Sequence, residues 1–154
     1  MTLSRRFALT LSMGSALAAC GSSPSRLKLS IQASAQLNPG PEGDPAPLAL
    51  RFLELVSVNA FMTTPFAALF YNPSNALRSD LLDSFPIDVT PSADIKTTRV
   101  LSEQTQFLGI VAGYRNIDDA TWRMTQKVRQ GRTTTLNLIA DRLAISNAPK
   151  GGWF

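Results

Sequence analysis

The chain has 154 residues, of which 44% are hydrophobic and 17% charged; that balance fits one globular domain and excludes a disordered, collagen-like or low-complexity chain. Histidine is absent and cysteine occurs once, so the commonest general base and metal ligand is missing, and no internal disulfide, CxxC redox pair or zinc ribbon can form. The formal charge is +4, and much of it sits in the first residues.

Residues 1–19 read as a secretion signal, with Arg5 and Arg6 as its positive start and an uncharged run from Phe7 to Ala19. That run of about thirteen residues is too short to span a bilayer, which takes roughly 20. It ends in Leu17-Ala18-Ala19 directly before Cys20, with Gly21-Ser22-Ser23-Pro24-Ser25 behind it. Small residues placed just ahead of the sole cysteine resemble the lipobox of bacterial lipoproteins, in which the cysteine thiol and then its new amino terminus are acylated. Cys20 is therefore the expected lipid attachment site, and residues 20–25 a lipidated tether. Two or more acyl chains anchor durably, each buried CH₂ contributing about 0.8 kcal/mol. Gly21 stands where lipoproteins kept at the inner membrane usually carry aspartate, which points to the outer membrane. Ser4-Arg5-Arg6 leaves twin-arginine export open beside the general route, although Phe7-Ala8-Leu9 fits that consensus poorly. Removing nineteen residues leaves 135 of the 154 and takes away two arginines, so the charge falls from +4 to +2. No nucleic-acid partner is expected of such a chain.

Residues 26–154 read as a β-sandwich of seven or eight strands with a helical insertion at about 58–82. Leu27, Leu29, Ile31, Ala33, Ala35 and Leu37 alternate with polar residues, the period of a strand with one buried face. The loop Asn38, Pro39, Gly40, Pro41, Glu42, Gly43, Asp44, Pro45, Ala46 and Pro47 then has to leave the sheet, because proline cannot donate to a ladder. A strand resumes over 48–55, with Leu48, Leu50 and Phe52 on one face and Arg51 on the other, which makes the loop a long hairpin connection. From Val58 the period changes: Phe61, Met62, Pro65, Phe66, Leu69 and Phe70 fall at helical spacing. Thr64-Pro65 reads as an N-cap with proline at the first helical position, and Asn72-Pro73 breaks the run before a second short helix ending at Leu82. The stripe Phe61, Phe66, Phe70 and Tyr71 reads as packing and not as a cofactor box.

Further strands follow at 87–89, 95–104 and 107–115. The last is apolar on both faces, as in a central strand, with Gly109 and Gly113 allowing close backbone approach. Asn116-Ile117-Asp118-Asp119 makes a turn, Trp122, Met124 and Val128 point inward, Gln130-Gly131-Arg132 turns again, and 133–140 and 143–146 complete the set.

Catalytic chemistry finds little support. A nucleophilic serine has no histidine and no Gly-x-Ser-x-Gly elbow, and Lys28, Lys96, Lys127 and Lys150 stand at no recognised spacing from a serine. The carboxylate candidates Asp118-Asp119 and Asp80/Asp83 read as turn and solvated-face residues. Glu42-Gly43-Asp44 falls short of a calcium loop, and Gly40, Gly43 and Gly151-Gly152 match no phosphate cradle. No catalytic residue, metal, cofactor or small-molecule substrate is expected. Arg115, Arg123, Lys127, Arg129 and Arg132 form a basic cluster that reads as a solvated strand face, with a patch against anionic lipid or an acidic partner as the alternative.

In order along the chain, the lipobox, Leu37-Asn38-Pro39 with its Pro/Gly loop, the 47–55 strand, Phe66-Ala67-Ala68-Leu69-Phe70, Leu81-Leu82, the segment Gly109-Ile110-Val111-Ala112-Gly113-Tyr114-Arg115 and Trp122-Arg123 resemble the TssJ lipoprotein family of the bacterial type VI secretion system. Members usually carry phenylalanine where this chain has Tyr114. The resemblance implies a transthyretin-like β-sandwich tethered to the inner leaflet of the outer membrane and facing the periplasm. It also implies binding to the periplasmic domain of TssM, an inner-membrane component, to help build the trans-envelope complex: adhesion without catalysis. The resemblance and the loop's stiffness, length and acidic Glu42 and Asp44 make residues 38–47 the expected partner contact. A periplasmic small-ligand carrier would instead show a sizeable apolar pocket with convergent polar groups. A pilot lipoprotein of another envelope machine would share the lipobox and strands and bind a different partner.

Overall fold

A computed structural model describes residues 21–149. The expected signal at 1–19, Cys20, Lys150 and Gly151-Gly152 lie outside the described residues.

The expected sandwich is present. Its strands are β1 (Arg26–Ala33), β2 (Leu48–Leu55), β3 (Leu81–Val89), β4 (Asp94–Val100), β5 (Phe107–Ala112), β6 (Arg123–Lys127), β7 (Thr133–Ala140) and β8 (Ile145–Asn147). They form two sheets of four, in the orders β4-β1-β7-β8 and β3-β2-β5-β6. β1 runs antiparallel to β4 and parallel to β7, so it is a central strand. Alternation sends Leu27, Leu29 and Ile31 of β1 and Leu136 and Leu138 of β7 inward. They meet Leu48, Leu50 and Phe52 of β2 and Leu108 and Ile110 of β5 in one core. Each fully buried side chain of this size contributes about 1.5–3 kcal/mol. Phe52 stacks on Phe85 of β3, with ring centroids 5.0 Å apart.

β5 and the second half of β2 are buried on both faces because both faces are covered there. Leu53, Leu55 and Val111 point away from the other sheet into a second cluster with Phe61, Leu69 and Leu77. Those last three come from a helical layer: α1 (Asn59–Thr63), α2 (Phe66–Tyr71) and α3 (Pro73–Leu77), followed by a 3₁₀ turn, Arg78–Asp80. The insertion is thus three short helices where the spacing predicts two, since Pro65 and Pro73 each lack the N–H a continuing helix needs. Thr64 does not cap α2; Pro65 holds that position, and the Thr64 hydroxyl donates back to the Ala60 carbonyl at 2.7 Å.

Several boundaries differ from the expected ones. β3 starts at Leu81, so 81–82 is strand and the strand expected at 87–89 has nine residues. Pro86 sits inside it opposite Arg51, which is tolerated because β3 is an edge strand and need not donate on its outer side. β1 ends at Ala33, and Leu37 is buried in the turn region beyond it. β4 ends at Val100, β5 at Ala112, and the last strand is shifted to Ile145–Asn147. Residues 38–47 are not a hairpin connection: β1 and β2 belong to different sheets, so the loop carries the chain across the sandwich.

The two ends of the sandwich collect different segments. The chain enters β1 at Ser25, whose hydroxyl accepts from Gly131 N–H at 2.9 Å and whose carbonyl accepts from Leu101 N–H at 2.9 Å. Residues 21–25, the expected tether, therefore join the sandwich beside segments 101–106 and 128–132. The other end collects segments 34–47, 90–93, 113–122 and 141–144. At about 3.3 Å per residue, the eight residues of β1 separate the two ends by roughly 26 Å.

Candidate partner-binding end

Loop 38–47 is ordered by its own bonds. Ala46 N–H donates to the Leu37 carbonyl (2.9 Å), closing the base, while Gly40 N–H reaches Asp44 O (3.0 Å) and Gly43 N–H reaches Gly40 O (2.9 Å). Gly43 has φ of +86°, a conformation that glycine takes at no steric cost. Leu37, Asn38, Pro39 and Ala46 are buried, Gly40 is half-buried, and Pro41, Glu42, Gly43, Asp44, Pro45 and Pro47 are exposed. Of the residues expected to contact a partner, the tip from 41 to 45 is presented to solvent and the base belongs to the fold.

Asn38 is the centre of that base. It is 2% exposed with φ of +47°, the left-handed region that asparagine enters more readily than most residues. Its carboxamide Nδ2 donates to the Pro47 carbonyl at 2.7 Å, and its Oδ1 accepts the Arg115 N–H at 2.8 Å. Its own N–H donates to the Arg142 carbonyl at 3.0 Å. One side chain and one amide thus join the loop's two ends to the turns after β5 and β7. Tyr114 reinforces the same junction: its hydroxyl donates to the Asp141 carbonyl at 2.9 Å, a bond that phenylalanine cannot make. Burial, and then the negative Asp141 carboxylate, push that phenol well above its usual range. The two turns are also bonded directly, through Thr121 N–H to Leu143 O (2.8 Å) and Ile145 N–H to Thr121 O (3.0 Å).

The other candidates disperse. Arg123 is structural: its Nη1 donates to the Phe61 and Thr64 carbonyls at 2.8 and 3.0 Å, satisfying the C-terminal end of α1, and its guanidinium lies 4.5 Å from the Trp122 ring centre. Lys127, Arg129 and Arg132 are exposed toward the tether end, while Arg115 lies at the opposite end, so the five do not form one patch. Asp80 lies in the 3₁₀ turn and Asp83 in β3, where Asp83 pairs with Arg99 at 3.0 Å. They are not neighbours on one helix face. Asp119 accepts from Asn116 at 2.7 Å in its turn. Among the described residues no three metal-capable side chains come together. Lys28 and Lys96 line an open cleft of about 570 Å³ on the outer face of the β1-containing sheet with Ser30, Thr98, Thr135 and Asn137. It is an open surface cleft, unlike the enclosed apolar pocket of a small-ligand carrier. No local sequence signal marks Arg142, because only the fold brings its turn to the loop.

Residues 25–143 match the family model described as "Type VI secretion lipoprotein, VasD, EvfM, TssJ, VC_A0113". The chain belongs to this family. Among solved structures, TssJ1 from Pseudomonas aeruginosa, a type VI secretion lipoprotein, is 35% identical with a TM-score of 0.79, over 84% of this chain and 99% of that one. Lip from Serratia marcescens, a membrane-bound component of the type VI secretion system, is 26% identical with a TM-score of 0.77, again over 84% of this chain and 99% of that one. A chain of a type VI membrane complex, 20% identical with a TM-score of 0.73, covers 82% of this chain and all of its own length and shares the fold. No curated protein matches the chain. As the sequence resemblance implied, the TssJ-type sandwich is shown, and the family is one of secretion-system lipoproteins and not of enzymes. No helix among the described residues is long and apolar enough to cross a membrane.

Proposed function

We propose that this lipoprotein is acylated on Cys20, held at the inner leaflet of the outer membrane, and binds the periplasmic domain of TssM through the end of the sandwich opposite its tether. Its activity is positioning within the trans-envelope complex, without catalysis. The observation that supports this reading is the placement of loop 38–47: rigid, proline-walled and about 26 Å from the tether, as eight strand residues dictate. A pre-ordered loop loses little conformational freedom on docking, and its exposed Glu42 and Asp44 suit a basic edge on the partner.

Shortening the whole loop to a two-residue turn is ruled out as a test, because Asn38 and Ala46 belong to the interior. The better experiment keeps 37–40 and 46–47 and replaces Pro41, Glu42, Asp44 and Pro45 by glycine and serine. That variant should keep its fold and lose capture of the TssM periplasmic domain. Capture as tight as that of the unchanged chain would place the contact elsewhere. Separately, Cys20→Ser should abolish fatty-acid labelling and release the protein from membranes, and Gly21→Asp should retain it at the inner membrane. A Cys20→Ser protein still in the outer membrane would overturn the anchoring.

A further inference from the structure

Beneath the loop tip, two arginines from different turns are brought together. Arg115 follows β5 and Arg142 follows β7, and Asn38 holds both, through the Arg115 N–H and the Arg142 carbonyl. Their side chains are exposed and line an open cleft of about 510 Å³ with Pro39, Pro41 and Leu143. Arg115 Nη1 lies close over Gly40, only 2.8 Å from where a Cβ would stand, so the guanidinium rests on the loop backbone. Among the described residues neither arginine pairs with a carboxylate. In the adjoining turns, Asp141 accepts the Arg142 backbone N–H at 2.7 Å, and Asp119 accepts from Asn116 at 2.7 Å.

We propose that this cleft is the receptor for an acidic side chain, aspartate or glutamate, on the protein partner that docks against loop 38–47; it rests on the function proposed above and names the chemistry of that contact. A guanidinium pairs with a carboxylate through two parallel N–H donors and is weakly hydrated, so it gives up water for such a pair more readily than lysine does. The walls of Pro39, Pro41 and Leu143 exclude water once a partner covers them, which strengthens the pair further. The backbone of both arginines is fixed in the free protein, so docking has only the side chains to order. A lipid phosphate would satisfy the same two guanidinium groups. The cleft, however, opens at the end away from the tether, with the length of β1 between them. The loop therefore presents two signs of charge: Glu42 and Asp44 at its tip, and the arginine pair beneath.

The test uses the full-length protein and the TssM periplasmic domain, with affinity measured at several salt concentrations. Arg115→Glu and Arg142→Glu should each weaken binding about tenfold or more, and the double variant about a hundredfold. The double variant's binding should also depend less on salt. Arg115→Gln and Arg142→Gln should weaken it in the same direction, which guards against misfolding of the reversed variants; thermal melting checks each fold. Lys96→Glu, on the outer sheet face, should leave affinity unchanged. Binding of the double variant within twofold of the unchanged chain overturns the proposal. So does a double variant that loses only its binding to phosphatidylglycerol vesicles, since the cleft then serves lipid. If the unchanged chain fails to bind the TssM domain, the proposed function itself fails and takes this inference with it.

Discussion

The ring of Phe61 closes over Gly109 of β5: a Cβ at that glycine would stand 2.7 Å from the ring's Cε2 atom and 3.0 Å from a methyl of Leu55. Phe70 covers Gly113 in the same way, with Cζ at 2.7 Å. The helical layer reaches the sheet because Gly109 in β5 and Gly113 just beyond it offer bare backbone. Gly109→Ala should therefore destabilise the protein by about 1–3 kcal/mol, as overpacking does. Chemical unfolding of Gly109→Ala, Phe61→Leu and the double variant checks it. The two changes should couple, since a smaller side chain at 61 makes room for the new methyl; strictly additive costs would mean the layers do not meet there.

Asn38→Ala should cost about 1–3 kcal/mol, because the part-buried Arg115 N–H and Pro47 carbonyl lose their partner and a Cβ without a polar side chain is strained at positive φ. Asn38→Gly removes the bonds without the strain, so it should be the milder of the two by about 1 kcal/mol. Equilibrium denaturation of both variants gives the ordering, and equal costs would show that the left-handed backbone is not retained.

Glu54 is a buried carboxylate serving backbone geometry. Its Oε2 accepts from Ser102 N–H and from the Thr105 hydroxyl, both at 2.8 Å, pinning segment 101–106 after β4. Arg99 Nε lies 3.7 Å from its other oxygen, and Arg99 also pairs with Asp83 and lies 4.3 Å from the Phe85 ring centre. Glu54→Ala should cost about 2–4 kcal/mol through two unsatisfied donors to a charged acceptor. Asp83→Ala, which removes an exposed ion pair and an exposed bond from Ser84 N–H, should cost at most about 1 kcal/mol. Matched unfolding curves decide between them.

Tyr114 makes stability fall in alkali. Its hydroxyl ionises near 10 in the unfolded chain and well above that when folded. The native state thus holds its proton where the unfolded state has lost it, and stability is intact below pH 10 and declines above it. Tyr114→Phe should lose about 1 kcal/mol at neutral pH with the Asp141 hydrogen bond, yet show a shallower decline between pH 10 and 12. Unfolding free energies across that range test the sign. An unchanged slope would mean that other groups carry the alkaline loss.

Local pattern reveals strands whose faces differ and conceals what depends on a distant neighbour. Alternation over 26–33 and 133–140 was legible because each strand has one wet face, and 107–112 announced its double burial by being apolar throughout. The first residues of β3 were not legible, since Pro86 reads as a stop until the sheet order makes β3 an edge. Nor does anything in 26–33 announce that it pairs in parallel with 133–140, or that residues 38–47 change sheets. The same holds for the site. Prolines and glycines mark the loop, whereas Arg142 reaches it only because Asn38 bonds to a turn about a hundred residues later.

With residues 20–25 as the proposed tether entering one end of β1 and the loop leaving the other, that strand would act as a tie-rod. Tension between the anchor and a docked partner would run along its axis, with β4 on one side and β7 on the other. The cross-strand hydrogen bonds lie broadly across that pull, so they share the load in shear and do not open one after another like a zip. The strand that would resist is central and flanked on both sides, a construction suited to a part that stays folded under load along its axis.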